Sequence, residues 1–226
     1  KAETFRVFHR VVDGVATERL VAMDGDGAEI IRTPAEVMCI FPALQKVVVD
    51  KRGGKAAGQN PLSAKLPEYS SSMDAHYQLR LEPDVRLLGR SALVISIKPK
   101  DGFRYEHRIW LDEQTAMPLK TQLIGDDENM PVEELFFTTI ALTDLVAAEM
   151  VSPSLNTEGY AWVRHEAHPQ QESAPAEQIE WTATNLPGGF MLTMTTLEYM
   201  EQLKEPRVHL VYSDGLASVS VFVDDG

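Results

Sequence analysis

Few side chains in this chain have the type and spacing to do chemistry. The adjacent acid pairs Asp126-Asp127 and Glu133-Glu134 have the composition of a general acid/base dyad. Such a dyad needs surroundings that push two carboxyl pKa values apart. Both pairs sit in or beside a polar turn, where solvated charge is the ordinary outcome. His165 and His168 form the one close histidine pair, but a zinc site needs two more ligands and none stands out. Asp24-Gly25-Asp26-Gly27 begins like a calcium loop and lacks the later acidic ligands and the terminal Glu. Lys51 to Gly58 is basic and glycine-rich without the Gly-Lys-Ser/Thr ending of a P-loop. Cys39 is the single cysteine and lies in the apolar run Val37 to Phe41. It excludes an internal disulfide or a cysteine metal cluster and reads as a small buried hydrophobe. Gly-x-Ser-x-Gly, His-Glu-x-x-His and an oriented Cys/His pair are all missing. The expectation is a protein with no catalytic residue, no metal and no cofactor, and so not an enzyme.

Charge narrows the partners. The formal net charge of −13, from 21 basic and 34 acidic residues, argues against nucleic acid, whose phosphates call for clustered Lys and Arg. A basic protein partner is compatible with it. No run approaches the length of a membrane span, and the first residues do not have the form of a signal peptide. Lys1 to Phe8 begins as if inside a strand, so a cleaved or omitted upstream segment is expected. The low cysteine content fits cytoplasm or periplasm.

The elements that would position a site are strands. Gly89 to Ile140 reads as four antiparallel strands. The β-branched run Ser91 to Ile97 turns at Lys98 to Gly102 into an alternating segment, Phe103 to Leu111, followed by Pro118 to Ile124 and Val132 to Ile140. Alternation puts Phe103, Tyr105, His107, Ile109 and Leu111 on one face and Arg104, Glu106, Arg108 and Trp110 on the other, one buried and one mostly wet. Asp112 reads as the opener of the following turn. Upstream, Phe5 to Val12 and Val15 to Met23 form a hairpin about Asp13-Gly14, and Glu29 to Arg32, Val37 to Phe41 and Val47 to Asp50 read as further strands. Leu62 and Leu66, then Met73, Tyr77 and Leu81, recur every fourth residue, which predicts two short helices broken at Pro67. A sheet curved too widely for its own side chains to fill leaves an apolar cavity that such helices can cover. Met38, Ile40, Leu62, Leu66, Met73, Tyr77 and Leu79 are the candidates for its lining or lid. Gly159 to Arg164 reads as one more short strand and His165 to Glu177 as linker. Beyond it, Trp181 to Phe190 turns at Pro187-Gly188-Gly189 into Met191 to Thr196, and a hairpin about Ser213-Asp214-Gly215 closes the chain.

Two groups of residues carry a family resemblance. Tyr105, Trp110-Leu111-Asp112, Thr115 and Pro118-Leu119-Lys120 resemble the hairpin of bacterial proteins with the LolA/LolB-type lipoprotein-carrier fold. Trp181, Leu186-Pro187-Gly188-Gly189-Phe190, Tyr212-Ser213-Asp214-Gly215-Leu216, Ser218 and Ser220-Val221-Phe222-Val223 resemble the small C-terminal domain of RseB/MucB-type periplasmic regulators of anti-sigma factors. The likeness covers nearly the whole chain. It departs at the ends: the family starts earlier and runs on past the equivalent of Gly226.

The fold class expected is mainly β (α+β): a curved, half-open antiparallel β-barrel with a few covering helices over residues 1–151, a linker over 152–177, and a small antiparallel β domain over 178–226. What the resemblance implies is a periplasmic negative regulator, exported by a signal peptide, in an envelope-stress sigma-factor pathway. It would bind the periplasmic region of a membrane-spanning anti-sigma factor and shield it from a site-one protease, until a lipid or lipopolysaccharide-like amphiphile released it. Self-association into a homo-oligomer is also implied. Trp181, Phe190 and Tyr212 are the partner-binding candidates. The competing reading is a periplasmic lipid or lipoprotein carrier.

Overall fold

The computed structural model describes residues 2–51, 71–125, 130–165, 171–173, 181–198 and 207–224. Leu62, Leu66, Asp126-Asp127, His168 and the glycine-rich stretch after Lys51 lie outside the described residues. Five strands open the chain: β1 Phe5–Val12, β2 Val15–Ala22, β3 Glu29–Arg32, β4 Glu36–Phe41 and β5 Lys46–Lys51. A single helical turn, α1 Met73–His76, precedes β6 Tyr77–Leu87, β7 Arg90–Pro99, β8 Glu106–Asp112, β9 Pro118–Ile124 and β10 Pro131–Phe136. Then come β11 Ala161–His165, β12 Gln171–Ser173, β13 Met191–Glu198, β14 Arg207–Ser213 and β15 Ser218–Val223. They make three open sheets, ordered β1-β2-β3-β4-β5-β11, β10-β9-β8-β7-β6 and β12-β13-β14-β15. The protein is mainly β, as expected, and none of these sheets closes into a barrel. Two compact units result, Lys1–Ala64 with Leu142–Pro169, and Lys65–Ala141 with Gln170–Gly226.

In the first unit, Asp13 (φ 51°) and Gly14 (φ 76°) both take the left-handed conformation that a two-residue hairpin turn needs to match strand twist. The register that follows puts Ile31, Ile40, Val47 and Val49 on one face as a buried cluster, with Met38, Leu155 and Tyr160 packed against it. The same face carries a buried ion pair, Arg19 with Glu29. Residues 152–165 belong to this unit, and the short strand expected over Gly159 to Arg164 is β11. Ser154 donates its backbone N–H to Glu29, and β11 pairs parallel with β5. β11 covers the edge of β5 that would otherwise present unpaired backbone groups, and the bond from Ala161 N–H to Gln45 C=O, 2.8 Å, starts the ladder.

In the second unit the meander β7–β10 is present as read from sequence. Its neighbour is not. Tyr77 to Leu87 is a strand rather than the second covering helix, which shrinks to Met73–His76. The β6–β7 turn is Leu88 (φ 53°) and Gly89 (φ 76°), and a bulge between Glu82 and Val85 absorbs Pro83, a residue that cannot donate to a ladder. The expected faces of the next segment also need correcting. Phe103 N–H donates to the Asp101 carboxylate, 3.0 Å, an Asx turn that holds the chain off the ladder until Glu106. Phe103 and Tyr105 are therefore exposed, while Arg104 and Glu106 are buried. Asp112 opens the β8–β9 turn by accepting from the Thr115 N–H (2.9 Å) and hydroxyl (2.8 Å), and it pairs with Arg90 at 2.6 Å.

Candidate functional site

The two C-terminal motifs converge on the region between α1 and β8 of the same unit. Asp214 lies at the tip of the β14–β15 hairpin, where its carboxylate accepts the backbone N–H groups of Leu216 (2.9 Å) and Ala217 (2.8 Å). Its other oxygen accepts the Tyr77 hydroxyl at 2.8 Å and Arg104 Nε at 2.6 Å. Arg104 also donates to Asp101 and to the Gly188 carbonyl. Its guanidinium carbon stands 4.9 Å from the Phe190 ring centroid and 5.5 Å from that of Tyr77. The Arg104 side chain is fully buried and that of Asp214 nearly so. Gly189 (φ 88°) is required twice over, because a Cβ there would lie 2.6 Å from the His76 ring. Burial alone would raise the Asp214 pKa, but Arg104, the two turn amides and Tyr77 outweigh it and hold the carboxyl below its usual range. Burial, reinforced by Asp214, pushes the Tyr77 phenol well above its ordinary value.

Tyr77 also begins the apolar face of the second sheet. Directly paired residues share a face, and two rows follow from the register: Leu81, Ile95, Ile109, Thr121, Leu135, and Leu79, Ile97, His107, Leu123, Glu133. Met73, Tyr77, Ile97 and Ile109 form the buried cluster of this face, with Ile95, Leu111 and Leu216 packed against it. Toward the edges it opens, with Leu79 44%, Leu135 52% and Leu81 71% exposed. The opposite face is mixed: Arg108 stands against Glu82 and Glu106, and Lys120 against Glu134, beside buried Ala92, Val94 and Ile124 and the rings of Trp110 and Phe136. Lys120 Nζ is also 5.1 Å from the Trp110 ring centroid.

The cavity candidates thus separate. Met73, Tyr77 and Leu79 belong to this apolar face. Ile40 is core of the first unit, and Met38 lines a separate cleft of about 330 Å³ with Ile31 and Val151. Of the partner-binding candidates, Trp181 is 55% exposed, whereas Tyr212 is 4% exposed and its hydroxyl accepts the Ala183 N–H at 2.8 Å. Phe190 stacks under Arg104. Arg104 and Asp101 were missed as site residues. The signal available was an Arg on an alternating segment beside an Asp-Gly turn, which reads equally well as a wet face. His165 bonds Asp50 at 2.6 Å, and no cluster of three or more metal-ligating side chains occurs among the described residues. Burial, with Asp50 nearby, pushes the Cys39 thiol up, away from a reactive thiolate.

These environments set a pH dependence. Burial lowers the His107 pKa from its ordinary 6.5, so the unfolded chain binds that proton first. Stability from this group is full above about pH 6.5 and declines below it. Asp214, Asp112 and Glu29 are depressed carboxyls. Their contribution is present above the ordinary carboxylate range and is lost as pH falls through the folded values. Thermal melts are expected to show Tm falling in two stages on acidification, the first starting near about pH 6.5. His107→Gln removes only that first stage.

Comparison with known proteins comes to the same place. Residues 1–155 match the family model of the MucB/RseB N-terminal domain and residues 175–226 that of the MucB/RseB C-terminal domain. The chain is 30% identical over 222 residues to the sigma factor AlgU regulatory protein MucB of Pseudomonas aeruginosa, covering 98% of this chain and 65% of that protein. It is 28% identical over 223 residues to the sigma-E factor regulatory protein RseB of Haemophilus influenzae, covering 99% and 67%. It therefore spans about two thirds of the length of these curated relatives. Among solved structures, MucB in complex with MucA(peri) superimposes with a TM-score of 0.64 at 26% identity, covering 99% of this chain and 69% of that one. The Pseudomonas aeruginosa MucA/MucB complex gives 0.63 at 29% identity, covering 97% and 69%. With the family's N- and C-terminal domains both matched, in order along one chain, this protein belongs to the MucB/RseB family.

Proposed function

We propose that this protein is a periplasmic negative regulator of an envelope-stress sigma-factor pathway. It binds the periplasmic region of a membrane-spanning anti-sigma factor and shields it from proteolysis. The observation that carries this reading is the likeness, over 99% of the chain, to a MucB whose structure was solved with MucA(peri). The relatives' names as sigma-factor regulatory proteins support it. A lipid or lipopolysaccharide-like amphiphile ends the shielding by binding the apolar face around Tyr77, Ile97 and Ile109. Support for that step is the aliphatic surface of that face, with Leu79, Leu81 and Leu135 open at its edges.

A ligand drives release only through better binding to the released arrangement, about 1.4 kcal/mol for each tenfold shift. Titration of this protein with the periplasmic region of an anti-sigma factor is expected to give saturable binding. A lipid A-like amphiphile is expected to weaken it by at least about tenfold. The apolar face also favours a second reading, a carrier of lipid or lipoprotein. Uptake of a fluorescent acyl probe with no binding of the anti-sigma region would establish the carrier in place of the regulator.

A further inference from the structure

The turn from Asp214 to Leu216 has the chemistry of a ligand. Asp214 presents a carboxylate that sits on Arg104 Nε at 2.6 Å and on the Tyr77 hydroxyl at 2.8 Å. Two residues on, Leu216 packs an aliphatic side chain against the cluster of Met73, Tyr77, Ile97 and Ile109. An anionic head on a buried cation, with an aliphatic tail on a sheet face that carries Leu79, Leu81, Ile95 and Leu135 beyond it, is the arrangement of a bound amphiphilic anion. We infer that the Asp214–Leu216 turn is an internal stand-in for a long-chain amphiphilic anion, which binds by taking the place of both groups.

This inference deepens the amphiphile reading above and rests on it. The chain of the incoming ligand covers the aliphatic rows that the turn leaves open toward Leu81 and Leu135. Its head restores the charge that Arg104 loses when Asp214 withdraws, with Asp101 still on the other side of the guanidinium. Arg104 and Tyr77 thereby select the head, and the sheet selects the tail. Displacing the turn frees the β14–β15 hairpin tip, so ligand occupancy is read out as a change in the C-terminal module.

The test uses the whole protein and cis-parinaric acid, a fluorescent long-chain carboxylate, with its methyl ester as the uncharged control. The carboxylate is expected to bind at least about tenfold more tightly than the ester, the loss of one charge-assisted pair. Dodecanoate or dodecyl phosphate should displace it, whichever succeeds naming a free fatty acid or a phosphorylated lipid as the source of the head. In hydrogen exchange, the Leu216 and Ala217 amides, which donate to Asp214, should lose protection when the carboxylate binds. Leu216→Ala, checked by circular dichroism for an intact fold, should raise carboxylate affinity. Equal binding of acid and ester with unchanged protection at Leu216 and Ala217 would overturn the stand-in while leaving the amphiphile reading intact. Failure of every probe to bind either the native protein or Leu216→Ala would overturn both.

Discussion

Arg104→Ala is expected to destabilise the second unit by about 3–5 kcal/mol, the cost of leaving one partner of a buried pair without its counter-charge. The magnitude follows from burial. The guanidinium is fully enclosed, and it bridges Asp214, Asp101 and the Gly188 carbonyl while lying over the Phe190 and Tyr77 rings. Removing it strands the Asp214 carboxylate in a site that burial already makes unfavourable for charge. Asp214→Asn is milder, about 1–3 kcal/mol, since Asp101 still neutralises Arg104 and the amide oxygen still accepts from the turn. Urea denaturation of both variants gives the order. A loss below about 1 kcal/mol for Arg104→Ala, the value of a surface pair, would mean that the C-terminal motifs do not dock on Arg104 in solution.

That same cluster shows what sequence can and cannot carry. Hairpins with strong local chemistry were legible: Asp13-Gly14 supplies two residues that tolerate positive φ, and Asp112 with Thr115 forms the turn its composition suggests. β6 was not legible. Its turn places Leu88, an uncommon residue at positive φ, before Gly89, and its bulge hides Pro83. The every-fourth spacing of Met73, Tyr77 and Leu81 fits a helix equally well. In the structure, Tyr77 is buried and Leu81 is 71% exposed. What decides the matter is pairing with β7, the next strand, through a turn and a bulge whose residues carry no strong hairpin signal.

The site was legible in part for the same reason. The motif residues around Gly188, Phe190 and Asp214 stood out as a family resemblance, with Trp181, Phe190 and Tyr212 as the partner-binding candidates. In the structure Asp214, Tyr212 and the Gly188 carbonyl point inward: Tyr212 accepts from the Ala183 N–H, Asp214 from Tyr77 and Arg104, and the Gly188 carbonyl from Arg104. Arg104 gave no signal because a lone arginine on an alternating segment is ordinarily solvated. Only the convergence of Asp101, Gly188 and Asp214, up to 110 positions away, makes it a buried centre. Trp181 is the candidate left most exposed, at 55%.

In the first unit, Glu29→Ala is expected to cost about 3–5 kcal/mol, for the mirror reason that it abandons a buried guanidinium. Glu29 accepts from Arg19 Nη2 at 2.7 Å and from the Ser154 N–H at 3.0 Å, and it is 1% exposed. One carboxylate therefore does two jobs: it neutralises Arg19 inside the sheet face and anchors the segment that follows the short helical turn Ala148–Val151. The anchoring is separable from the charge. Glu29→Gln keeps an acceptor for Ser154 and loses the charge, whereas Ser154→Ala keeps the pair and the backbone bond and loses two hydroxyl contacts, one donated to Glu29 and one accepted from Arg19. Hydrogen exchange across residues 148–160 should rise sharply for Glu29→Ala, less for Glu29→Gln and least for Ser154→Ala. The pH dependence carries the same sign. Burial raises the Glu29 pKa and Arg19 and Ser154 outweigh it, so its value lies below the ordinary 4.5. Native stability from this pair is complete above that pH and vanishes as acid titrates the folded group. Glu29→Gln should flatten that part of the acid limb. If it left the limb unchanged, the acid sensitivity of the first unit would have to come from another carboxyl.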